Sequence, residues 1–292
     1  MGRDLVESHP TAKALFTQAD EALGYGLSEI CFSGPEEELV RTEHAQPAIY
    51  LVGWVALQLL REQSPSLAFD ATAGLSLGEF TALAAADALG FEDGLRVVRR
   101  RGEVMQHACE TSAGGMAAIV GLDEEAVRDV CGQAGVSLAN LNCPGQIVIS
   151  GDADKMEAAC DAAKAAGAKR AIPLPVAGAY HSPLMQPAQA GLAEALAKVE
   201  LREPLVPVYS NVTGQAHAAA GTIADTMVDQ VTSPVKWEAC IRAMIAAGIT
   251  RFIELGPGKA LSGFMRRIDR DIEMLNIADC DSLAKVAESL NG

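Results

Sequence analysis

The sequence predicts an α/β protein of two lobes, a large lobe with a parallel sheet and a smaller βαββαβ unit inserted into it. Three observations carry this reading. A strand, a glycine-bounded turn and a helix succeed one another over 67–89, and strands alternate with helices over 116–176. The chain of 292 residues is also longer than one small core needs.

The elements are read in chain order. Over 46–62 the apolar residues Ile49, Val52, Ala56, Leu59 and Leu60 recur at helical spacing, and Pro47 suits a first-turn position. Ser64-Pro65 breaks that helix, and 67–73 is a short run with the length of a buried strand. Gly74 to Gly78 forms a turn, and 79–89 has the Ala and Leu content of a helix ended by Gly90. The middle of the chain is more regular. A strand at 116–120 precedes a helix capped by Asp123, with Val127, Val130, Cys131 and Ala134 on one face and Gly135 after its end. Strands at 136–142 and 146–150 flank the turn residues Cys143-Pro144-Gly145. Asp152 caps a second helix through Met156, Ala159, Cys160 and Ala163, closed by Gly167, and 169–176 is a last strand. That βαββαβ order is the ferredoxin-like split unit, so 113–176 forms the small lobe and 1–112 with 177–292 the large one. Residues 178–183 then form a loop at the mouth between the lobes. Ser233-Pro234 opens a helix running to Gly248, 251–255 is a strand entering Gly256-Pro257-Gly258, and 282–290 is the final helix.

Composition limits the function. Hydrophobic residues make up 49% and charged residues 21%, which excludes a disordered chain. The 23 Lys+Arg against 38 Asp+Glu give a net charge of -15, without the basic excess that tracks phosphates, so no nucleic-acid partner is expected. Seven cysteines lie far apart, with no C-x-x-C pair and no histidine at zinc-ligand spacing. They read as reduced packing thiols in a cytoplasmic protein with no metal site. The apolar stretch 45–60 is too short to span a bilayer, which takes about 20 apolar residues, and no signal peptide opens the sequence. No membrane association is expected.

Gly74-Leu75-Ser76-Leu77-Gly78 is a G-x-S-x-G sequence between a strand and a helix, the context of a nucleophile elbow in an α/β-hydrolase-like lobe. Its glycines permit the sharp turn, and the helix start offers N–H groups to an oxyanion. An ordinary glycine-rich turn carrying a serine is the alternative. A serine hydroxyl needs a base. His9, His44, His107 and His217 sit in polar, charged or helical settings and read as solvated surface residues. His181, in Gly178-Ala179-Tyr180-His181-Ser182-Pro183, lies in the interlobe loop and is the favoured base.

At this point the pattern becomes specific. Gly74-Leu-Ser-Leu-Gly-Glu-Phe-Thr-Ala-Leu83, Asn142-Cys-Pro-Gly-Gln-Ile-Val-Ile-Ser-Gly151 and Gly178-Ala-Tyr-His-Ser-Pro-Leu-Met185 together resemble malonyl-CoA:acyl carrier protein transacylases. So do Val208-Tyr-Ser-Asn-Val-Thr213, Gln230-Val-Thr-Ser-Pro-Val-Lys-Trp237 and Glu254-Leu-Gly-Pro-Gly-Lys259, in the family's order and over nearly the whole chain.

The resemblance implies a ping-pong transfer in fatty acid biosynthesis without a bound cofactor. Ser76 takes malonyl from malonyl-CoA, a coenzyme A thioester, and the phosphopantetheine thiol of acyl carrier protein then takes it from Ser76. His181 serves as base and acid, oriented by the carbonyl of Gln230, and the N–H of Leu77 contributes to the oxyanion site. Arg101 matches the family's carboxylate-gripping arginine, whose planar fork suits that group. Arg96, Arg99 and Arg100 read instead as a solvated basic face or a docking element. Tyr180 is similar to the aromatic of malonyl-selective members, and Gln46 matches a pocket glutamine, with a capping or turn role as its alternative. The protein is expected to act as a monomer. Because carrier proteins of this kind are acidic, a local patch drawn from Arg99, Arg100, Lys259, Arg266, Arg267 and Arg270 is expected to steer docking.

Two departures from the family stand out. Leu75 replaces a frequent histidine, with little effect expected. Members also begin with a strand and a Gly-Gln-Gly-x-Gln loop ahead of the segment similar to Met1–Leu5. The N-terminal strand and an oxyanion glutamine are therefore expected to be absent, Met1 being an internal methionine of a longer protein, and any transit peptide toward an organelle would precede it. The competing expectations are a weakly active or non-catalytic carrier-binding homologue, and an acyl-ester or thioester hydrolase.

Overall fold

A computed structural model describes residues 1–292. The principal apolar core is organised around two long helices, Thr42–Gln63 and Phe91–Thr111. Leu51, Val55, Leu59, Leu95, Val98 and Met105 from these helices lie in the principal apolar core. Gly102 is what lets them approach: a Cβ there would lie 2.6 Å from the carbonyl oxygen of Thr42 and 2.7 Å from Cα of Glu43. That close crossing carries the adjoining residue Arg101 into the interior.

The parallel pairing beside this core is short. Strand β1 (Thr72–Ala73) has a distant partner, Val208–Tyr209, in the register Thr72↔Val208 and Ala73↔Tyr209. The 67–73 run is therefore a strand only at its end. The ladder's next bond runs from Thr72 N to Pro207 O (2.9 Å), and proline has no N–H with which to continue it. The helix expected over 79–89 is Gly78–Ala85. Asp87 takes a left-handed φ of 60°, the Ala88 N–H turns back to Leu83 O, and Gly90 instead caps the helix that follows.

Residues 114–173 follow the expected βαββαβ order. Strand β2 (Gly114–Val120), helix Glu124–Ala134, strands β3 (Ser137–Cys143) and β4 (Gln146–Asp152), helix Ala153–Ala165 and strand β5 (Arg170–Pro173) succeed one another. They make an antiparallel sheet ordered β3-β4-β2-β5. Ile119, Ile147 and Ile149 pack against Val127, Val130, Met156 and Ala159 of the two helices. A smaller cluster, Met116, Ala139 and Val148, meets Tyr180 and Leu174. Strand β5 stops short of the expected 169–176 because Pro173 and Pro175 supply no N–H. The Asp123 side chain caps its helix through Ala126 N (2.9 Å), but Asp152 makes no cap bond and reaches Lys155 Nζ instead (2.5 Å).

Two further expectations are corrected. The first long helix starts at Thr42, so Pro47 lies inside it and removes one intrahelical bond rather than occupying the first turn. The helix opened by Ser233-Pro234 begins only at Trp237. Val235 is drawn off to strand β3, its N donating to Ala139 O and its O accepting from Leu141 N, both at 2.8 Å, which stitches the small sheet to the rest of the chain. Beyond these, strand β6 is Val208–Tyr209, and β7 (Arg251–Leu255) pairs in parallel with β8 (Glu273–Ile277), a strand that local patterning did not reveal. The helices of the first forty residues, Pro10–Leu23 among them, also went unread.

Candidate active site

The turn after β1 is sharp because Gly74 permits it: a Cβ there would fall 1.9 Å from the Gly78 carbonyl. Gly78 itself faces open space, so the steric demand is on the first glycine alone. Ser76 takes φ 52°, a conformation that costs a non-glycine residue about 1–3 kcal/mol. The cost is met locally by Asn211, whose Oδ1 accepts from Ser76 N (2.6 Å) and whose Nδ2 donates to Gly74 O (2.8 Å). Leu77 follows as the N-cap of helix Gly78–Ala85.

The loop after β5 brings the second group. His181 also adopts a left-handed φ, 58°, and is 4% exposed. Its Nε2 lies 2.8 Å from Ser76 Oγ and its Nδ1 2.9 Å from the Gln230 carbonyl oxygen. Because a carbonyl only accepts, Nδ1 carries the proton and Nε2 presents its lone pair to the hydroxyl. Burial, reinforced by the Arg101 cation, pushes the imidazole down to about 4, so it is neutral at pH 7. The pair can therefore take a proton from the hydroxyl as oxygen attacks.

Arg101 is 1% exposed. Its Nη1 donates to Gln46 Oε1 (2.6 Å), and its Nη2 to Ser76 Oγ (3.0 Å) and Gln230 Oε1 (2.9 Å), while the guanidinium lies over the Phe80 ring at 5.6 Å. Burial pushes its pKa down to about 10, opposed by the Glu79 charge. No carboxylate bonds to it and its Nε is buried without a partner. A desolvated cation with spare donors, touching a nucleophile, is suited to an anionic group one or two bonds from the reacting carbon. Gln46 is held in turn by Thr42 Oγ1 (2.7 Å). Tyr180 is half-buried beside Met116, Ala139 and Val148, its hydroxyl facing Cys109 and Thr42, and burial raises its pKa.

The structure thus brings Ser76, His181, Arg101, Gln46 and Gln230 into one bonded group. Three neighbours escaped the sequence reading. Asn211 clamps the elbow, Glu79 accepts from Gln230 Nε2 (2.7 Å) and Asn211 N (3.1 Å), and His217 meets Glu79 Oε1 at 2.8 Å. The expectation of a solvated His217 is overturned: its side chain is 3% exposed, because a buried carboxylate offers it a partner. The Gln230 side chain also takes part, donating to Ser76 O (2.9 Å) as well as to Glu79. The sequence signal for these neighbours is the position of Glu79 directly after the elbow motif. Away from the site, Arg96 pairs with Glu92 and Asp93, and Arg99 and Arg100 pair with Glu103, so these arginines are largely neutralised.

Known proteins resemble this chain in sequence and fold. The acyl transferase domain family matches residues 1–286. The malonyl CoA-acyl carrier protein transacylase of Bacillus subtilis is 44% identical over 295 residues, covering 99% of this chain and 92% of that protein. The crystal structure of the acyl-carrier-protein-S-malonyltransferase from Bartonella henselae superposes with a TM-score of 0.94 at 37% identity, covering 100% of this chain and 95% of that one. A malonyl-transacylase solved in complex with its type II polyketide acyl-carrier protein gives a TM-score of 0.95 at 36% identity, over 99% and 94% of the two chains. This chain belongs to the acyl transferase family, among its malonyl CoA-acyl carrier protein transacylases.

Proposed function

We propose that this protein transfers malonyl from malonyl-CoA to the phosphopantetheine thiol of acyl carrier protein through an ester on Ser76. The observation that carries the reading is the sharing of Ser76 Oγ between the neutral His181 imidazole and the buried Arg101 guanidinium. Malonyl has one methylene between its thioester and its carboxylate, so the cation that holds its acid end must lie beside the nucleophile.

In the first half-reaction Arg101 binds the malonyl carboxylate, with Gln46 holding the guanidinium in place. Ser76 Oγ attacks the thioester carbonyl as its proton passes to His181 Nε2. The oxyanion is held by Leu77 N–H at the helix start. Collapse expels the coenzyme A thiolate, which takes the proton back from His181. The second half repeats these steps with the carrier thiol as nucleophile and Ser76 as leaving group. The Gln230 carbonyl keeps His181 in the required tautomer throughout. No step needs a cofactor. The Tyr180 ring narrows the space beside the acyl α-carbon and favours malonyl over branched homologues, a preference worth about 1–3 kcal/mol per carbon.

We also assign residues 1–112 and 177–292 to an α/β-hydrolase-like catalytic lobe and 113–176 to a ferredoxin-like lobe. The strand order β3-β4-β2-β5 and the separate apolar clusters support this division. We assign the protein as a monomer, and no helix is long and apolar enough to cross a membrane. The seven cysteines are unpaired thiols, in keeping with the cytoplasm. For an acidic carrier, the exposed Lys259, Arg266, Arg267 and Arg270 form the docking patch, Arg267 being fixed by Pro144 O at 2.9 Å. Arg99 and Arg100 share the one Glu103 carboxylate, which lowers their contribution to that patch.

Intact-protein mass spectrometry after brief exposure to malonyl-CoA tests the reading. A malonyl adduct, discharged by carrier protein and absent from Ser76→Ala, is expected. Rapid release of free malonate without carrier would establish a hydrolase instead.

A further inference from the structure

One carboxylate reaches all three arms of the site through single intermediaries. Glu79 is 0% exposed. Its Oε2 accepts from Gln230 Nε2 (2.7 Å) and Asn211 N (3.1 Å), and its Oε1 meets His217 Nε2 (2.8 Å). Asn211 in turn holds the Ser76 turn, and Gln230 holds both His181 and Arg101.

The Gln230 amide is where this arrangement bears on specificity. A carboxylate only accepts hydrogen bonds and a guanidinium only donates them. Set between Glu79 and Arg101, the amide has one satisfied orientation, nitrogen toward Glu79 and Ser76 O, oxygen toward Arg101 Nη2. Without an acceptor at position 79 the amide is released to turn, and its nitrogen would then oppose the Arg101 donors. The negative charge of Glu79 also favours the protonated form of Arg101 across this bridge.

We propose that Glu79 is a positioning residue for acyl selection: it fixes the Gln230 amide and through it aims Arg101 at the acid end of malonyl. This rests on the transfer reaction inferred above. A carboxylate serving only to hold the fold would affect every acyl group alike, whereas one acting through Arg101 affects acyl groups that carry a carboxylate.

The test compares acyl-Ser76 formation from malonyl-CoA and from acetyl-CoA in the full chain. Glu79→Met removes the acceptor, and the malonyl-over-acetyl ratio of kcat/KM is expected to fall by about 10-fold or more, mainly through malonyl-CoA KM, as befits a charged hydrogen-bond network. Glu79→Gln can keep an oxygen toward Gln230 and Asn211 and turn its nitrogen to His217, so it should hold the ratio within about threefold. Glu79→Asp, one methylene shorter, should lower the ratio by about three- to tenfold. Adding Gln230→Met to Glu79→Met should lower it no further, since both act on one arm. Equal slowing of malonyl and acetyl in folded Glu79→Met overturns the proposal. If that variant fails to fold, an unchanged ratio in Glu79→Asp overturns it. Failure of the wild-type chain to form any malonyl adduct would instead overturn the transfer reaction itself.

Discussion

In the βαββαβ segment over 114–173 the left-handed backbone positions fall on Gly121, Gly135, Gly145 and Gly167, the Asp123 side chain caps the helix after β2, and branched aliphatics fill the space beneath the sheet. Around the candidate site the same backbone region is occupied by Ser76 and His181, and the buried side chains include an arginine, a glutamate and a glutamine. Local preference and final structure agree in the first region and conflict in the second. The conflict is sustained by bonds between distant segments: Asn211 to Ser76, Gln230 to His181, and Arg101 to Gln46. Strain and buried charge of this kind collect where chemistry is done, and they need surrounding structure to hold them.

The sharpest break of this comparison is Ser76→Ala. It should relieve no fold-wide contact yet reduce acyl transfer by about 10⁴-fold or more, read from malonyl loading. Ile149→Ala is the counterpart in the small lobe. It empties a fully buried position and should lower unfolding stability by about 2–5 kcal/mol in a denaturant titration, while leaving the malonyl-over-acetyl ratio unchanged. Arg101→Lys keeps a cation but loses the planar fork. Malonyl loading should fall by about 10- to 100-fold with a smaller loss for acetyl, and equal losses would contradict a carboxylate role.

The protonation of His181 gives a pH prediction. Its pKa in the folded protein is lowered to about 4, mainly by burial, so the proton-accepting form persists well below the ordinary histidine range. The acid limb of Ser76 malonylation should have its midpoint near 4, and a midpoint at about 6.5 would show an unperturbed base. Stability should follow the sign of the same shift. The unfolded chain binds this proton below about 6.5 while the folded chain resists until about 4, so the contribution is present above 6.5 and is lost as pH falls through that window. The smallest effect separates glycines in the two regions. Gly132→Ala, in a small-lobe helix with open space at its Cβ, should stabilise by about 0.5–1 kcal/mol, whereas Gly74→Ala would drive a Cβ into the Gly78 carbonyl and destabilise.

Local sequence by itself determined the βαββαβ order over 114–173, the turn that presents Ser76, and, through the ordered blocks around Ser76, His181 and Glu254, the family. These depend on neighbours within a few residues: an aspartate before a helix, a glycine after one, or alternation along a strand. Tertiary structure decided the rest. It shortened β1 to Thr72–Ala73 because Pro207 ends its partner's ladder, turned Val235 from helix to sheet, and paired β7 with β8 across two segments. It also buried His217 against Glu79 and gave the Gln230 side chain two partners that its carbonyl role did not suggest. These outcomes rest on donors and acceptors brought together from separate segments, Glu79 and Gln230 standing 151 residues apart, and no local pattern encodes which desolvated polar groups will meet.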